Sequence, residues 1–170
     1  KLAESLYKKI IKIESNNFKP VFLLSSLLLQ KKNFTDAIPL LEKAILMEPS
    51  HANSYQNLGF AFIEIGEFVK AVQVLKKAIK IQPNHVEAHF NLANVYKQMG
   101  DFKKARMFYE KTIEIQPNNP SAFNNLANIY KQLGEFTKAI DSYNKAIQIK
   151  PNHARAHHNL GNTYNQLGEF

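Results

Sequence analysis

Apolar residues recur along the chain at the three-and-four spacing of amphipathic helices rather than in alternation, and turn residues interrupt the pattern at regular intervals. Ala88 to Gln98 and Phe102 to Ile115 each carry such a stripe. Between them lies "MGD", in which Gly100 can supply the left-handed residue that closes a helix. The unit so defined is a helix hairpin. Pro49, Pro83, Pro117 and Pro151 follow one another at intervals of 34 residues, a fixed period that marks an array of structural repeats. Ser50, Asn84, Asn118 and Asn152, directly after the prolines, are the expected caps of the next helix. Glu67, Asp101 and Glu135, with Asn33 in the first repeat, precede each second helix, where an acid suits the positive end of the helix dipole.

Counting repeats from Phe18, Ala52, Val86, Pro120 and Ala154 aligns the columns. The expected layout is a second half-repeat at 1–17, full repeats at 18–51, 52–85, 86–119 and 120–153, and a first half-repeat at 154–170. Small residues occupy the eighth position (Ser25, Gly59, Ala93, Ala127, Gly161) and the twentieth (Ala37, Ala71, Ala105, Ala139), which lets paired helices approach closely. Large ones fill the space around that contact. Leucine holds the seventh position from Leu24 to Leu160, Leu28, Phe62, Tyr96, Tyr130 and Tyr164 the eleventh, and Phe34, Phe68, Phe102, Phe136 and Phe170 the seventeenth.

This period and this large, small, aromatic and proline spacing resemble the tetratricopeptide repeat (TPR) over the whole chain. The resemblance implies an all-α fold, a right-handed superhelical solenoid of antiparallel helix hairpins. Three local departures are Lys32 in place of a turn glycine, Thr112 in place of alanine, and the lack of tryptophan at the fourth position.

The asparagines need a separate explanation. "FNLANVYKQMGDF", "NNLANIYKQLGEF" and "HNLGNTYNQLGEF" place amides inside helices, where each costs roughly half a kcal/mol or more relative to alanine because a short amide competes for backbone hydrogen bonds. They fall at the sixth position (Asn57, Asn91, Asn125, Asn159) and the ninth (Asn94, Asn128, Asn162), with Asn124 and Asn165 beside them. Helical geometry puts the second, fifth, sixth, ninth, twelfth and thirteenth positions on one face, opposite the leucine column. In the family that face lines the groove. A carboxamide can grip both the C=O and the N–H of an extended peptide, so a ladder of them, with Lys97 and Lys131 at the twelfth position, is expected to bind peptide backbone. The competing reading is that the amides hydrogen-bond to one another between repeats. "NNLAN" and "HNLGN" are similar to the repeats of O-linked N-acetylglucosamine transferase, which implies a second function class: a substrate-recruiting region of a larger enzyme whose catalytic domain is absent from this chain. The positions of the carboxylate clamp in chaperone-binding relatives hold Gln56, Phe90, Asn124, His158 and the asparagine column, with Arg155 alone. That specificity is not implied.

The equivalent face of the first two repeats is apolar. Phe22, Leu23, Leu29, Phe60 and Ile63 form a patch expected to meet a partner or close on its own neighbours.

Composition narrows the rest. With 170 residues, 45% hydrophobic and 21% charged, the chain reads as an ordinary globular one. No cysteine leans toward a reducing compartment such as the cytoplasm. The longest apolar run, "VFLLSSLLL", is far short of the ~20 residues of a membrane span, and no signal peptide is read at the start. Net charge is +8, but Lys9, Lys43, Lys77, Lys111 and Lys145 form a spaced column on the second helices rather than a cluster, so nucleic acid is not the expected partner. His85/His89 and His153/His157 are four apart, a metal-compatible spacing. Their places in the turn and at a packing position nevertheless point to structure, and neither metal, cofactor nor catalysis is expected. Because the two half-repeats add to one full repeat, head-to-tail self-association is expected, the C-terminal helix of one molecule (Leu160, Tyr164) docking on the N-terminal helix (Tyr7) of the next.

Overall fold

The computed structural model describes residues 2–168. Among them are ten α-helices and no strand: α1 (Leu2–Ile13), α2 (Phe18–Gln30), α3 (Phe34–Met47), α4 (Ala52–Glu64), α5 (Phe68–Ile81), α6 (Val86–Gln98), α7 (Phe102–Ile115), α8 (Pro120–Gln132), α9 (Phe136–Ile149) and α10 (Ala154–Leu167). Two compact units divide the chain, Lys1–Asn91 and Leu92–Phe170. In the first, α1 to α5 pack each against the next; in the second, α7 to α10 do the same, and α8 also touches α10.

Each hairpin closes by one device. The first helix ends with a residue at positive φ, Lys32 at 58°, Gly66 at 81°, Gly100 at 78° and Gly134 at 76°. The following N–H then reaches back five residues, as in Glu67 N to Phe62 O at 2.8 Å and Asp101 N to Tyr96 O at 2.9 Å. Lys32 holds the same conformation without glycine's freedom, at a cost of about 1–2 kcal/mol. The second departure is equally well absorbed: Thr112 is fully buried and its hydroxyl donates to the Phe108 carbonyl at 2.8 Å.

The helix caps lie one residue later than the sequence reading places them. Ser50, Asn84, Asn118 and Asn152 are turn residues. His51 and Asn119 are the caps of α4 and α8, and His153 that of α10; Asn119 accepts from Ala122 N at 3.0 Å and His153 from Ala156 N at 3.2 Å. The turn spends its first two residues reversing the chain, so the third takes the cap position, where His51 makes no side-chain cap bond and Asn119 and His153 cap with their side chains. His85 does the same for α6: Nδ1 accepts from Ala88 N at 3.4 Å while Nε2 donates to Asn53 Oδ1 at 2.8 Å. At the fourth position, His89 and His157 donate from Nε2 to the carbonyls of Pro83 and Pro151, both at 2.8 Å. These histidines fasten the turns.

Burial lowers the His85 pKa, an effect that the Glu87 carboxylate partly opposes. Below its ordinary value of about 6.5 the unfolded chain takes up a proton that the folded chain resists. Stability is therefore full above that pH and declines as the pH falls toward the folded-state value. His85→Asn should keep the cap, as Asn119 does, and flatten this decline. Urea midpoints at neutral and mildly acid pH measure it, and an unchanged decline in the variant would place its origin elsewhere.

The core is built from the small and large columns. Ala37, Leu41, Ala44, Leu58, Ala71, Leu75 and Ala78 are buried in the first unit, and Ala127, Ala139, Tyr143, Ala146 and Ala156 cluster in the second with Phe123, Tyr130 and Leu160 against them. The eleventh-position rings have a further use. Lys70, Lys104 and Lys138 lie over Phe62, Tyr96 and Tyr130, the ammonium 5.2 to 5.7 Å from the ring centre, and each also pairs with the acid three residues earlier. Where the ring is Leu28, the lysine is replaced by Asp36. Along α1, Leu2, Leu6, Ile10 and Ile13 are exposed and no residue is buried. Tyr7, Leu160 and Tyr164, the residues of the expected end-to-end contact, are half-buried. Phe170 lies outside the described residues.

Candidate peptide-binding face

An asparagine in a helix is tolerated when its amide is occupied, and here the partners are specific. In the second unit, Tyr109 and Tyr143 of the second helices, both fully buried, donate from their hydroxyls to Asn94 Oδ1 at 2.5 Å and Asn128 Oδ1 at 2.6 Å. Burial raises both phenol pKa values, that of Tyr143 to about 12, so the hydroxyls keep the proton they donate. Each tyrosine thus fixes which end of a ninth-position amide points inward: the oxygen is engaged and the NH₂ is directed away.

The sixth-position amides bridge successive repeats. Asn125 Nδ2 donates to Asn94 Oδ1 at 3.3 Å and also reaches the Tyr109 hydroxyl. Asn57 Nδ2 donates to Ser26 Oγ at 3.3 Å, the same step of 31 residues in the first unit. Asn159 Nδ2 turns instead to Asn124 Oδ1 at 3.2 Å, and Asn124, only 4% exposed, donates to Asn125 Oδ1 at 3.3 Å. Both readings of the amides have a basis in this geometry. They do bond to one another between repeats, yet only part of their capacity is used, since an amide has two donor hydrogens and two acceptor lone pairs.

Lys97 of α6, Asn124, Asn125 and Asn128 of α8, and Arg155, His158 and Asn159 of α10 line one cavity of 480 Å³ within the second unit. Five of the expected site residues are therefore brought together: Lys97, Asn124, Asn125, Asn128 and Asn159. Lys131 is half-buried, Asn165 is exposed, and neither lines the cavity. Asn162 is exposed with its amide 3.0 Å from His158 Nε2. Asn57 and Asn91 belong to the first unit, and both are half-buried. Arg155 and His158 were not expected as site residues. They stand at the second and fifth positions of one repeat, which share the groove face but carry no basic residue that recurs from repeat to repeat.

The apolar patch is smaller than the sequence suggests. Leu29 is 8% exposed and Ile63 9%, both covered by the chain itself. Phe22, Leu23 and Phe60 remain half-buried. Phe22 stacks on Phe18 with ring centres 5.6 Å apart and meets His51 edge-on at 4.8 Å, while Phe60 meets Phe34 at 6.1 Å. No helix among the described residues is long and apolar enough to cross a membrane.

A TPR-repeat family model matches residues 59–100 and 127–168, and tetratricopeptide-repeat models match 19–51, 86–119 and 108–141. The crystal structure of MamA superposes with a TM-score of 0.82 at 30% identity, covering 89% of this chain and 89% of that one. The chain belongs to the tetratricopeptide-repeat family. Also similar in fold are MamA 41-end from Desulfovibrio magneticus RS-1 (TM-score 0.80, 22% identity, 98% of this chain and 86% of that one) and YrrB (0.78, 20%, 96% and 84%), the latter described as a TPR protein with an unusual peptide-binding site. No curated protein matches the chain significantly in sequence.

Proposed function

We propose that the chain is a non-catalytic interaction scaffold whose first-helix face in the second unit binds an extended peptide mainly through the peptide backbone. The observation that carries this is a cavity walled by carboxamides from successive repeats, in which Tyr143 turns the NH₂ of Asn128 outward and Asn124 holds the amide of Asn159 in place. Backbone groups of an extended peptide alternate donors and acceptors, and amides that have spare capacity for both can follow them whatever the peptide's side chains. Each net hydrogen bond adds about 0.5–1.5 kcal/mol, so a few of them give an affinity on the order of micromolar once ordering costs are met. The peptide-binding site named for YrrB and the likeness of "NNLAN" to the transferase repeats support the reading by analogy.

The test uses a peptide selected against the chain from a random library. Asn128→Ala combined with Asn159→Ala should weaken its binding at least about tenfold, the loss of one or two good hydrogen bonds, with helicity by circular dichroism unchanged. Unchanged affinity by calorimetry would reduce the amides to scaffold hydrogen bonds.

A further inference from the structure

The charges around the cavity are of one sign. Lys97 and Arg155 reach it from two helices, and residues 92–98, α8 and α10 contain no aspartate or glutamate at all. The acids described in the second unit are elsewhere. Asp101 and Glu135 precede the second helices, where they hold Lys104 and Lys138, and Glu110, Glu114 and Asp141 are exposed on α7 and α9. Among the described residues, then, neither Lys97 nor Arg155 has a carboxylate partner. Lys97 is also half-buried, and burial pulls its ammonium pKa down. A cation that has lost part of its hydration without gaining a counter-charge carries a cost that an incoming anion recovers. Arg155 adds a planar fork of donors that fits the two oxygens of a carboxylate, a geometry a lysine lacks. The NH₂ group of Asn128, turned outward by Tyr143, supplies a neutral donor beside them.

We infer that this cavity takes the side-chain carboxylate of an aspartate or glutamate in the bound peptide, so that the partner segment is acidic. The inference rests on the peptide-binding reading above and adds a side-chain preference to it. Backbone contacts through the amides set where the peptide lies; the cationic cavity sets which peptides are held.

The probes are two end-blocked peptides, acetyl-SEGSEGSEG-amide and its glutamine counterpart acetyl-SQGSQGSQG-amide, titrated into the full ¹⁵N-labelled chain. The expected result is movement of the Arg155 Nε–H and Asn128 side-chain signals, and binding of the glutamate peptide about tenfold tighter than the glutamine one, an advantage that shrinks with salt. Lys97→Gln with Arg155→Gln should erase the difference. Lys103→Gln, an equal loss of charge on an exposed part of α7, should not. Equal affinity for both peptides, with the amide signals still moving, overturns the acid preference and leaves the peptide-binding face standing. No movement with either peptide overturns both. Loss of the preference in Lys103→Gln as well reduces it to bulk charge and also overturns the inference. So does a glutamine peptide with a free C-terminus that matches the blocked glutamate one, since the cavity then reads a terminal carboxylate.

Discussion

Gly59→Val is expected to destabilise the first unit by about 2–3 kcal/mol, toward the upper part of the overpacking range, while Gly161→Ala in the same column stabilises the second by about 1 kcal/mol. The contrast comes from what each glycine faces. A Cβ built on Gly59 would stand 2.5 Å from Leu75 Cγ and 2.6 Å from its Cδ2, and Leu75 is fully buried, so its side chain has nowhere to turn. A Cβ on Gly161 meets nothing within 4 Å, so there only the entropic penalty of helical glycine is at stake. Leu75→Ala by itself should cost about 2–5 kcal/mol as a core truncation. Combined with Gly59→Val it should cost less than the two losses together, because the added methyls enter the space vacated. Urea unfolding measures the totals. Amide exchange in α4 and α5 localises the effect, which matters in a repeat array that need not unfold in one step. A Gly59→Val chain as stable as the wild type would mean that α4 and α5 do not approach as closely as described.

That pair also shows how far the sequence could be read. The 34-residue spacing of prolines and the stripes between them were enough to place the hairpins, and α7 spans the same residues, Phe102–Ile115, in pattern and in structure. The small column was legible too, but not that Gly59 is sterically required and Gly161 is not, since that depends on the residue opposite. The caps were misplaced by one residue because asparagine after proline is a good cap in the abstract, whereas the turn geometry gives the role to His51, Asn119 and His153. In the site, the amide columns were visible and their partners were not. A trace of those partners exists: the twenty-fourth position is Leu41 and Leu75 where the ninth is Ser26 and Phe60, and Tyr109 and Tyr143 where the ninth is Asn94 and Asn128. Only the packed hairpin says that these two positions meet. Of the cavity's basic residues, Lys97 was marked by its twelfth-position counterpart Lys131, whereas Arg155 and His158 left no column.

Removing the buried hydroxyls should therefore affect stability and binding together. Tyr109→Phe and Tyr143→Phe are each expected to cost about 1–3 kcal/mol, the range for leaving a buried polar partner unsatisfied, with Tyr143→Phe the larger of the two. Asn94 Oδ1 keeps the Asn125 amide as a donor when Tyr109 loses its hydroxyl. The Tyr143 hydroxyl is the donor found for Asn128 Oδ1, so that oxygen must turn outward to find water. Turning it reverses the amide and presents an acceptor where the intact site presents a donor. A peptide carbonyl held there would then face an oxygen, so Tyr143→Phe should weaken binding of a selected peptide about tenfold, although residue 143 is buried and never touches the ligand. Tyr109→Phe should lose stability with a smaller loss of affinity. Calorimetry with the selected peptide separates the two effects, and the side-chain NH₂ signals of Asn94 and Asn128 report the orientation directly. If Tyr143→Phe loses stability but binds as tightly as the wild type, the tyrosine only supports the fold, and the outward NH₂ of Asn128 is not what holds the peptide.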